Sequence, residues 1–157
     1  MARHSAGLLL FRTTRTGELE VLLVHPGGPF WAGRDAGAWS IPKGEYLPGE
    51  DPAAVAEREF GEELGLAPPA GPRLDLGEIT QAGGKRVRAW AVEGDLEATS
   101  FESNTTEVEW PPRSGRRLQV PEVDRAEWTS VGAARERLNR AQVQLLDRLL
   151  ELVGGSP

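Results

Sequence analysis

The sequence contains no cysteine and no long apolar run, and each absence excludes a class of protein. A chain without thiols cannot build a disulfide scaffold, a thiolate zinc site or a cysteine nucleophile. The longest apolar runs, 7–11 and 21–24, are far shorter than the roughly 20 residues of a membrane-spanning helix. Because no signal-peptide pattern precedes the first of these runs, we expect a cytoplasmic protein without a membrane partner.

Lysine is also scarce, since the chain has sixteen arginines but only two lysines, Lys43 and Lys85. Its 157 residues, of which 39% are hydrophobic and 27% charged, are typical of one globular domain. We expect a single domain over 1–153 and a C-terminal tail over 154–157. The sequence leaves open whether the protein is a monomer or a homodimer.

The net charge of −6 comes from one short segment. Between Glu45 and Glu63 there are seven acidic residues and one basic residue, which leaves 17 of each sign in the rest of the chain. A compact acidic cluster repels the phosphate backbone of nucleic acids and attracts divalent cations. We therefore expect a bound metal and no nucleic-acid partner; the ordinary alternative is a solvated helix face.

The order of strand-like and helix-like segments predicts a single α/β domain. A helix over 52–64 is expected to begin after the capping residue Asp51 and to end at Gly65. Residues 94–124 show little periodicity, so we expect a long loop there. The C-terminus should be helical, in two pieces broken near Asn139. Strands are expected at 6–11, 19–25, 39–42, 74–81, 86–92 and 126–129.

Three glutamates of the predicted helix should lie on one face. Glu59, Glu62 and Glu63 are three and four residues apart, so their side chains converge within one turn. Like charges at this spacing repel each other, and a hard cation is the natural partner that offsets the repulsion. Mg²⁺ prefers oxygen ligands of this kind.

The same segment resembles the signature of the Nudix hydrolase family. Nine positions match at the family's spacing: Gly44, Glu50, Arg58, Glu59, Phe60, Glu62, Glu63, Gly65 and Leu66. The resemblance implies an α/β/α sandwich with a mixed β-sheet between helices. It also implies divalent-metal-dependent hydrolysis of a phosphoanhydride bond in a nucleoside diphosphate-linked substrate, with Mg²⁺ as cofactor and Mn²⁺ as its substitute.

The resemblance further implies a role for each matching residue. Arg58 would pair with Glu50 and hold the preceding loop against the helix. The general base is not fixed by the signature, and it can be a signature glutamate such as Glu62 or a carboxylate from a later loop. The implied metal ligands are Glu59, Glu62, Glu63 and the Lys43 carbonyl.

Two glutamates of the long segment are candidates for a loop base. We favour Glu109, and Glu107 on the same face is the alternative; a solvated loop glutamate is the ordinary interpretation of either. We expect the two histidines, His4 and His25, to be ordinary strand or surface residues.

The candidate substrate-binding residues are two lysines and two tryptophans. Lys43 and Lys85 can each contact a substrate phosphate, although solvent exposure explains Lys85 equally well. Trp31 and Trp110 lie in predicted loops and can stack on a nucleobase, whereas the other three tryptophans lie in strand-like runs that are typical of a core.

Three further segments, 25–31, 39–44 and 109–115, resemble the Nudix branch that contains diadenosine polyphosphate hydrolases. This resemblance implies a dinucleoside polyphosphate substrate such as diadenosine tetraphosphate. Hydrolysis of ADP-ribose, of nucleotide sugars or of oxidised nucleoside triphosphates stays open. Two other functions also stay open. The chain can be a Nudix module that senses a nucleotide without cutting it, or its acidic helix can serve only as a protein-interaction surface.

Overall fold

The computed structural model describes residues 3–154, and the predicted tail beyond Gly154 lies outside them. The strands are β1 (His4–Thr13), β2 (Leu19–Pro26), β3 (Lys43–Tyr46), β4 (Leu74–Thr80), β5 (Arg86–Glu93), β6 (Thr105–Glu109), β7 (Arg117–Pro121) and β8 (Val123–Ser130). The helices are α1 (Pro52–Leu64), α2 (Val131–Arg137) and α3 (Val143–Val153), with short 3₁₀ turns at Ala82–Gly84, Ala98–Ser100 and Arg140–Gln142. None of the described helices is long and apolar enough to cross a membrane.

The main sheet is mixed and has β1 near its centre. Its strand order is β4-β5-β1-β2-β8, and β3 pairs with the first half of β1. β1 and β5 run parallel, whereas the other pairs are antiparallel. The consecutive residues Leu8, Leu9 and Leu10 are fully buried, because both faces of β1 are covered.

Helices cover the sheet on both faces, which confirms the predicted α/β/α architecture. On one face Phe60 and Leu64 of α1 pack against even-numbered leucines of β1 such as Leu8. On the other face Leu145 and Leu149 of α3 share a core with odd-numbered residues of β1 such as Leu9. The period of two along β1 therefore distributes its side chains between two separate cores.

The acidic helix α1 begins and ends where the sequence predicts. The Asp51 carboxylate accepts a hydrogen bond from the Ala53 amide at 3.2 Å, and Pro52 occupies the first helical position. Gly65 ends the helix with φ 65°, in the left-handed region that favours glycine. These caps fix which turns of α1 face the sheet.

Two predictions of secondary structure were wrong. Residues 39–42 make only isolated bridges through Trp39 and Ser40, because the Ile41 amide bonds to the Gln142 side chain instead of a neighbouring strand. The segment 94–124 is not one loop. It contains the antiparallel β6–β7 hairpin, whose residues pair fully although most of them are exposed.

Candidate active site

Three carboxylates meet at one edge of α1. One oxygen from each of Glu59, Glu63 and Glu122 lies within 4.8 Å of the other two. Glu59 and Glu63 come from adjacent turns of α1, whereas Glu122 lies between β7 and β8. We call these three residues the acid cluster. Sequence reasoning missed Glu122, and the one local indication was an acid placed directly before a strand.

The backbone of β3 and its neighbours positions the acid cluster. A Cβ atom at Gly44 would overlap the Glu59 carboxylate, so glycine leaves the space that this side chain occupies. The Lys43 amide donates to Glu63 Oε1 at 3.3 Å. Glu122 is held by its main chain, since its carbonyl accepts from the Gly27 amide at 3.1 Å.

Burial and mutual repulsion make the acid cluster electrostatically unfavourable on its own. Burial raises the pKa of Glu63 to about 8; Lys43 opposes this shift and Glu122 adds to it. Burial, and then the charge of Glu62, raises the pKa of Glu59 and of Glu122 as well. Carboxylates that resist ionisation in a shared pocket fit a hard divalent cation, which would favour their charged form.

Glu62 lies beside the acid cluster rather than in it. Its side chain is 45% exposed, and its Oε1 lies 3.8 Å from Arg58 Nε. Its charge raises the pKa of both Glu59 and Glu122, so it is electrostatically coupled to two members of the cluster. The structure therefore leaves the Glu62 carboxylate accessible at the rim of the site.

Arg58 joins the loop before α1 to the helix. Its Nη1 lies 3.3 Å from Glu50 Oε2, and its Nη2 lies 3.6 Å from Glu59 Oε1. The other oxygen of Glu50 accepts from the Leu47 amide at 2.8 Å. This amide and then Arg58 lower the pKa of Glu50, which keeps it ionised as the partner of the guanidinium.

Both lysines line a polar cavity of about 260 Å³ that extends from the acid cluster. Burial and, after it, the neighbouring ammonium of Lys85 lower the pKa of Lys43 to about 8. Two like charges that face each other in a cavity attract an anion. The remaining polar wall consists of Ser40, Gln81, Asn139 and Gln142.

A second cavity, of about 440 Å³, also borders Glu63 and Glu122 of the acid cluster. The β6–β7 hairpin contributes Val108 and Trp110 to its wall, and the loop after β2 contributes Phe30 and Trp31. The two loop rings pack edge to face with centroids 4.9 Å apart. Trp31, Glu63 and Glu122 line both cavities, so two of the three acids of the cluster lie in the wall that they share.

The structure does not bring Glu109 or Glu107 to the acid cluster. Glu109 lines the second cavity, but its carboxylate accepts from the amides of Arg113 at 3.0 Å and Gly115 at 3.2 Å. Glu107 lies 3.5 Å from Arg117 on the outside of the hairpin. Both residues thus engage partners within their own hairpin.

The model of the NUDIX domain family matches residues 1–149. Comparison with curated proteins gives no significant match. The chain belongs to the NUDIX family, and with its signature acids intact it is a Nudix pyrophosphohydrolase.

Solved structures of the family share this fold at low sequence identity. The Ap4A hydrolase of C. elegans in a binary complex has a TM-score of 0.67 and 21% identity, covering 99% of this chain and 100% of its own. The NUDIX domain of NrtR from Shewanella oneidensis, complexed with ADP ribose, has a TM-score of 0.64 and 16% identity, with 98% and 89% covered. The Nudix hydrolase RenU of M. smegmatis has a TM-score of 0.55 and 22% identity, with 100% and 89% covered.

Proposed function

We propose that this protein hydrolyses a phosphoanhydride bond of a dinucleoside polyphosphate, such as diadenosine tetraphosphate, with the help of Mg²⁺. Glu63 and Glu122 lie in the wall shared by the aromatic cavity and the polar cavity that both lysines line, and this observation carries the proposal. A substrate with a flat base next to a chain of phosphates would fill both cavities and would place a phosphorus atom beside the acid cluster.

The acid cluster would hold the divalent ion. Glu59, Glu63 and Glu122 supply convergent carboxylate oxygens, and the backbone of Lys43 borders Glu63, which agrees with a role for the Lys43 carbonyl as a further ligand. Mg²⁺, or Mn²⁺ in its place, would supply charge neutralisation of the phosphate oxygens and acidification of the attacking water.

Glu62 is the general base that the geometry favours. Its carboxylate is accessible at the rim of the site, and its Oε1 lies 3.8 Å from Nε of Arg58. The Glu62 carboxylate would accept the proton of the water that attacks phosphorus, and a phosphorylated product would leave in line. Glu109, which the sequence favoured, stays the alternative base, and it would have to release the amides of its own turn to act.

The two cavities divide substrate recognition between them. Lys43 and Lys85 would bind phosphate oxygens, because their paired positive charges face the polar cavity. Trp31 and Trp110 would enclose a nucleobase in the aromatic cavity. Paired cations match a polyphosphate better than the neutral hydroxyls of a sugar, which favours a polyphosphate over ADP-ribose or a nucleotide sugar. The fold shared with an Ap4A hydrolase agrees with this choice.

We propose that residues 1–153 act as one catalytic domain, as a monomer or homodimer, in the cytoplasm. Its partner would be a small nucleotide rather than a nucleic acid, since the acidic charge lies at the site itself.

A substrate panel in the presence of Mg²⁺ tests the proposal. The panel contains diadenosine tetraphosphate, ADP-ribose, a nucleotide sugar and an oxidised nucleoside triphosphate, with the products separated by mass. We expect the dinucleoside polyphosphate to give the highest kcat/KM, and water labelled with heavy oxygen to mark the phosphorus that is attacked.

Two outcomes would contradict the proposal. Binding without turnover of any substrate would indicate a nucleotide-sensing module. Unchanged turnover without Mg²⁺ and in a Glu62→Gln variant would leave the acidic helix as a protein-interaction surface.

A further inference from the structure

His25 lies at a junction of three structural elements near the site. It is the penultimate residue of β2, where the pairing register with β8 shifts, and its side chain is 1% exposed. Its imidazole packs edge to face on Trp39, with ring centroids 5.2 Å apart. Neither the acid cluster nor the two cavities include this ring.

Both ring nitrogens of His25 face acceptors. Nδ1 lies 2.8 Å from Asp124 Oδ1, and Nε2 lies 2.7 Å from the carbonyl oxygen of Arg34. A carbonyl can only accept, an ionised carboxylate can only accept, and a neutral imidazole has a single N–H. With Asp124 ionised, both bonds form at once only if the imidazole carries a proton on each nitrogen and donates from both.

The Arg34 carbonyl belongs to the segment 27–38, which we call the Trp31 loop. Within it the Arg34 amide donates to the Trp31 carbonyl at 3.0 Å, and Arg34 Nε donates to the Phe30 carbonyl at 2.8 Å. His25 thus contacts the loop at Arg34, three residues after Trp31, and Trp31 lines both cavities.

The charged groups around His25 divide into two sets. Asp124 and Asp35 are the acids nearby, and Asp35 accepts from the Trp39 indole at 2.8 Å. Arg125 and Arg137 are the bases, and their guanidinium carbons lie 5.0 and 5.1 Å from the Trp39 ring centroid. Asp124 is in direct contact with the imidazole, and Nε of Arg125 lies 3.9 Å from the same Asp124 oxygen.

We propose that His25 is a positioning residue: its doubly protonated imidazole bridges Asp124 and the Arg34 carbonyl and thereby fixes the Trp31 loop over the substrate cavities. Asp124 lies in β8, two residues after Glu122, so this bridge joins the loop to the strand that directly follows the third acid of the cluster. The effect on substrate binding rests on the proposed function, but the protonation and the ordering of the loop do not.

Nitrogen-15 NMR of the imidazoles tests the protonation directly. His4 and His25 are the two histidines of the chain, so a His4→Gln variant assigns the signals of His25. We expect both ring nitrogens of His25 to carry protons at neutral pH, and this doubly protonated fraction to fall in Asp124→Asn. A neutral tautomer in the wild-type protein would overturn the proposal.

A His25→Gln variant tests the positioning role. One amide group cannot bridge both acceptors, so we expect faster hydrogen exchange at the Trp31 and Arg34 amides. We also expect a KM for diadenosine tetraphosphate raised roughly threefold to tenfold, with kcat within about twofold of the wild type. The ring of His4 lies beside Tyr46 of β3, outside the acid cluster and both cavities, so His4→Gln should match the wild type in each measurement.

Exchange at wild-type rates in His25→Gln, or a loss of kcat at constant KM, would overturn the positioning role. If His25→Gln does not fold, Asp124→Asn replaces it, and faster exchange of the same amides is expected there. If no nucleotide is turned over by the wild type, the proposed function fails, while the NMR and exchange results still decide the role of His25.

Discussion

Gly44 and Gly61 differ in the space that surrounds them. A Cβ atom at Gly44 would overlap the Glu59 carboxylate, whereas one at Gly61 would meet nothing within 4 Å. We predict that Gly44→Ala displaces Glu59 and weakens the affinity for Mg²⁺ by about 10- to 100-fold. The Mg²⁺ dependence of kcat measures this effect.

Gly61→Ala provides the matched control. Gly61 lies inside α1, where alanine is favoured over glycine by about 1 kcal/mol, so this variant should be as active as the wild type and more stable to urea. A Gly44→Ala enzyme with normal Mg²⁺ dependence would show that the space at residue 44 is not needed by the metal site.

Glu122 is predicted to be a metal ligand. Replacement by glutamine removes one of the three converging charges, so Glu122→Gln should bind Mn²⁺ about 10- to 100-fold more weakly by isothermal titration calorimetry. Glu107→Gln, on the outside of the hairpin, should bind it like the wild type. Equal affinities in the two variants would remove Glu122 from the site.

The general base is predicted to be Glu62. Glu62→Gln should lower kcat by about 10²- to 10⁴-fold and retain Mn²⁺ binding, because it removes the proton acceptor but none of the acid cluster. Glu109→Gln should keep kcat within about tenfold, since its carboxylate bonds to its own turn. The reverse order of effects would make Glu109 the base.

The part of the site that lies on α1 could be predicted from the sequence, but Glu122 could not. Helical spacing places Glu59 and Glu63 on one face, and this depends only on local geometry. Glu122 joins them because β7, β8 and the Gly27 amide bring a residue 59 positions away to the end of α1. The residues next to Glu122 in the sequence do not predict that it lies near α1.

Among the elements, the β6–β7 hairpin and the loop after β2 build the aromatic cavity together. We predict that Trp31→Ala and Trp110→Ala each raise KM for the nucleotide by about tenfold with little change in kcat, because stacking on a base contributes about 1–3 kcal/mol. Steady-state kinetics measure both constants.

Another residue of the hairpin serves as the control for these variants. Leu118 is an exposed large side chain of β7 and does not line the cavity, so Leu118→Ala should have the KM of the wild type. If Trp31→Ala and Trp110→Ala also have the KM of the wild type, the base binds elsewhere.

Sequence patterns predict the buried elements better than the exposed ones. β1 and β2 are apolar and were predicted within two residues at each end. The hairpin escaped prediction because its strands bury few side chains. Val120 is the one buried residue of the two strands, so the alternation that marks a strand is weak. Residues 39–42 look like a strand because Trp39 and Ile41 alternate inward, yet their backbone bonds are made partly by a side chain.

For the molecule as a whole, the acid cluster should couple stability to pH. In the metal-free protein the pKa of Glu63 is raised from 4.5 to about 8, so the folded state binds a proton more tightly than the unfolded state. The stability from this proton is complete below pH 4.5 and is lost as the pH rises to 8. The pKa of Lys43 is lowered from 10.5 to about 8, so this residue makes the stability depend on pH only between those two values, above the range in which Glu63 has its effect.

We therefore predict that Tm in EDTA falls between pH 5 and pH 8, by about 2–4 °C for each kcal/mol lost. Mg²⁺ should raise Tm more at pH 8 than at pH 5, since binding requires ionised ligands. Scanning calorimetry measures both trends. In Glu63→Gln both should shrink, and a pH dependence equal to that of the wild type would show that other groups cause it.

The central claim is that Glu59, Glu63 and Glu122 hold one divalent ion between the two cavities. Anomalous diffraction from crystals grown with Mn²⁺ and a non-hydrolysable dinucleoside polyphosphate tests it most directly. We predict a manganese peak about 2.0–2.3 Å from an oxygen of each of the three glutamates, with phosphate oxygens completing the shell. A peak elsewhere, or nucleotide bound with no metal beside these carboxylates, would contradict the claim.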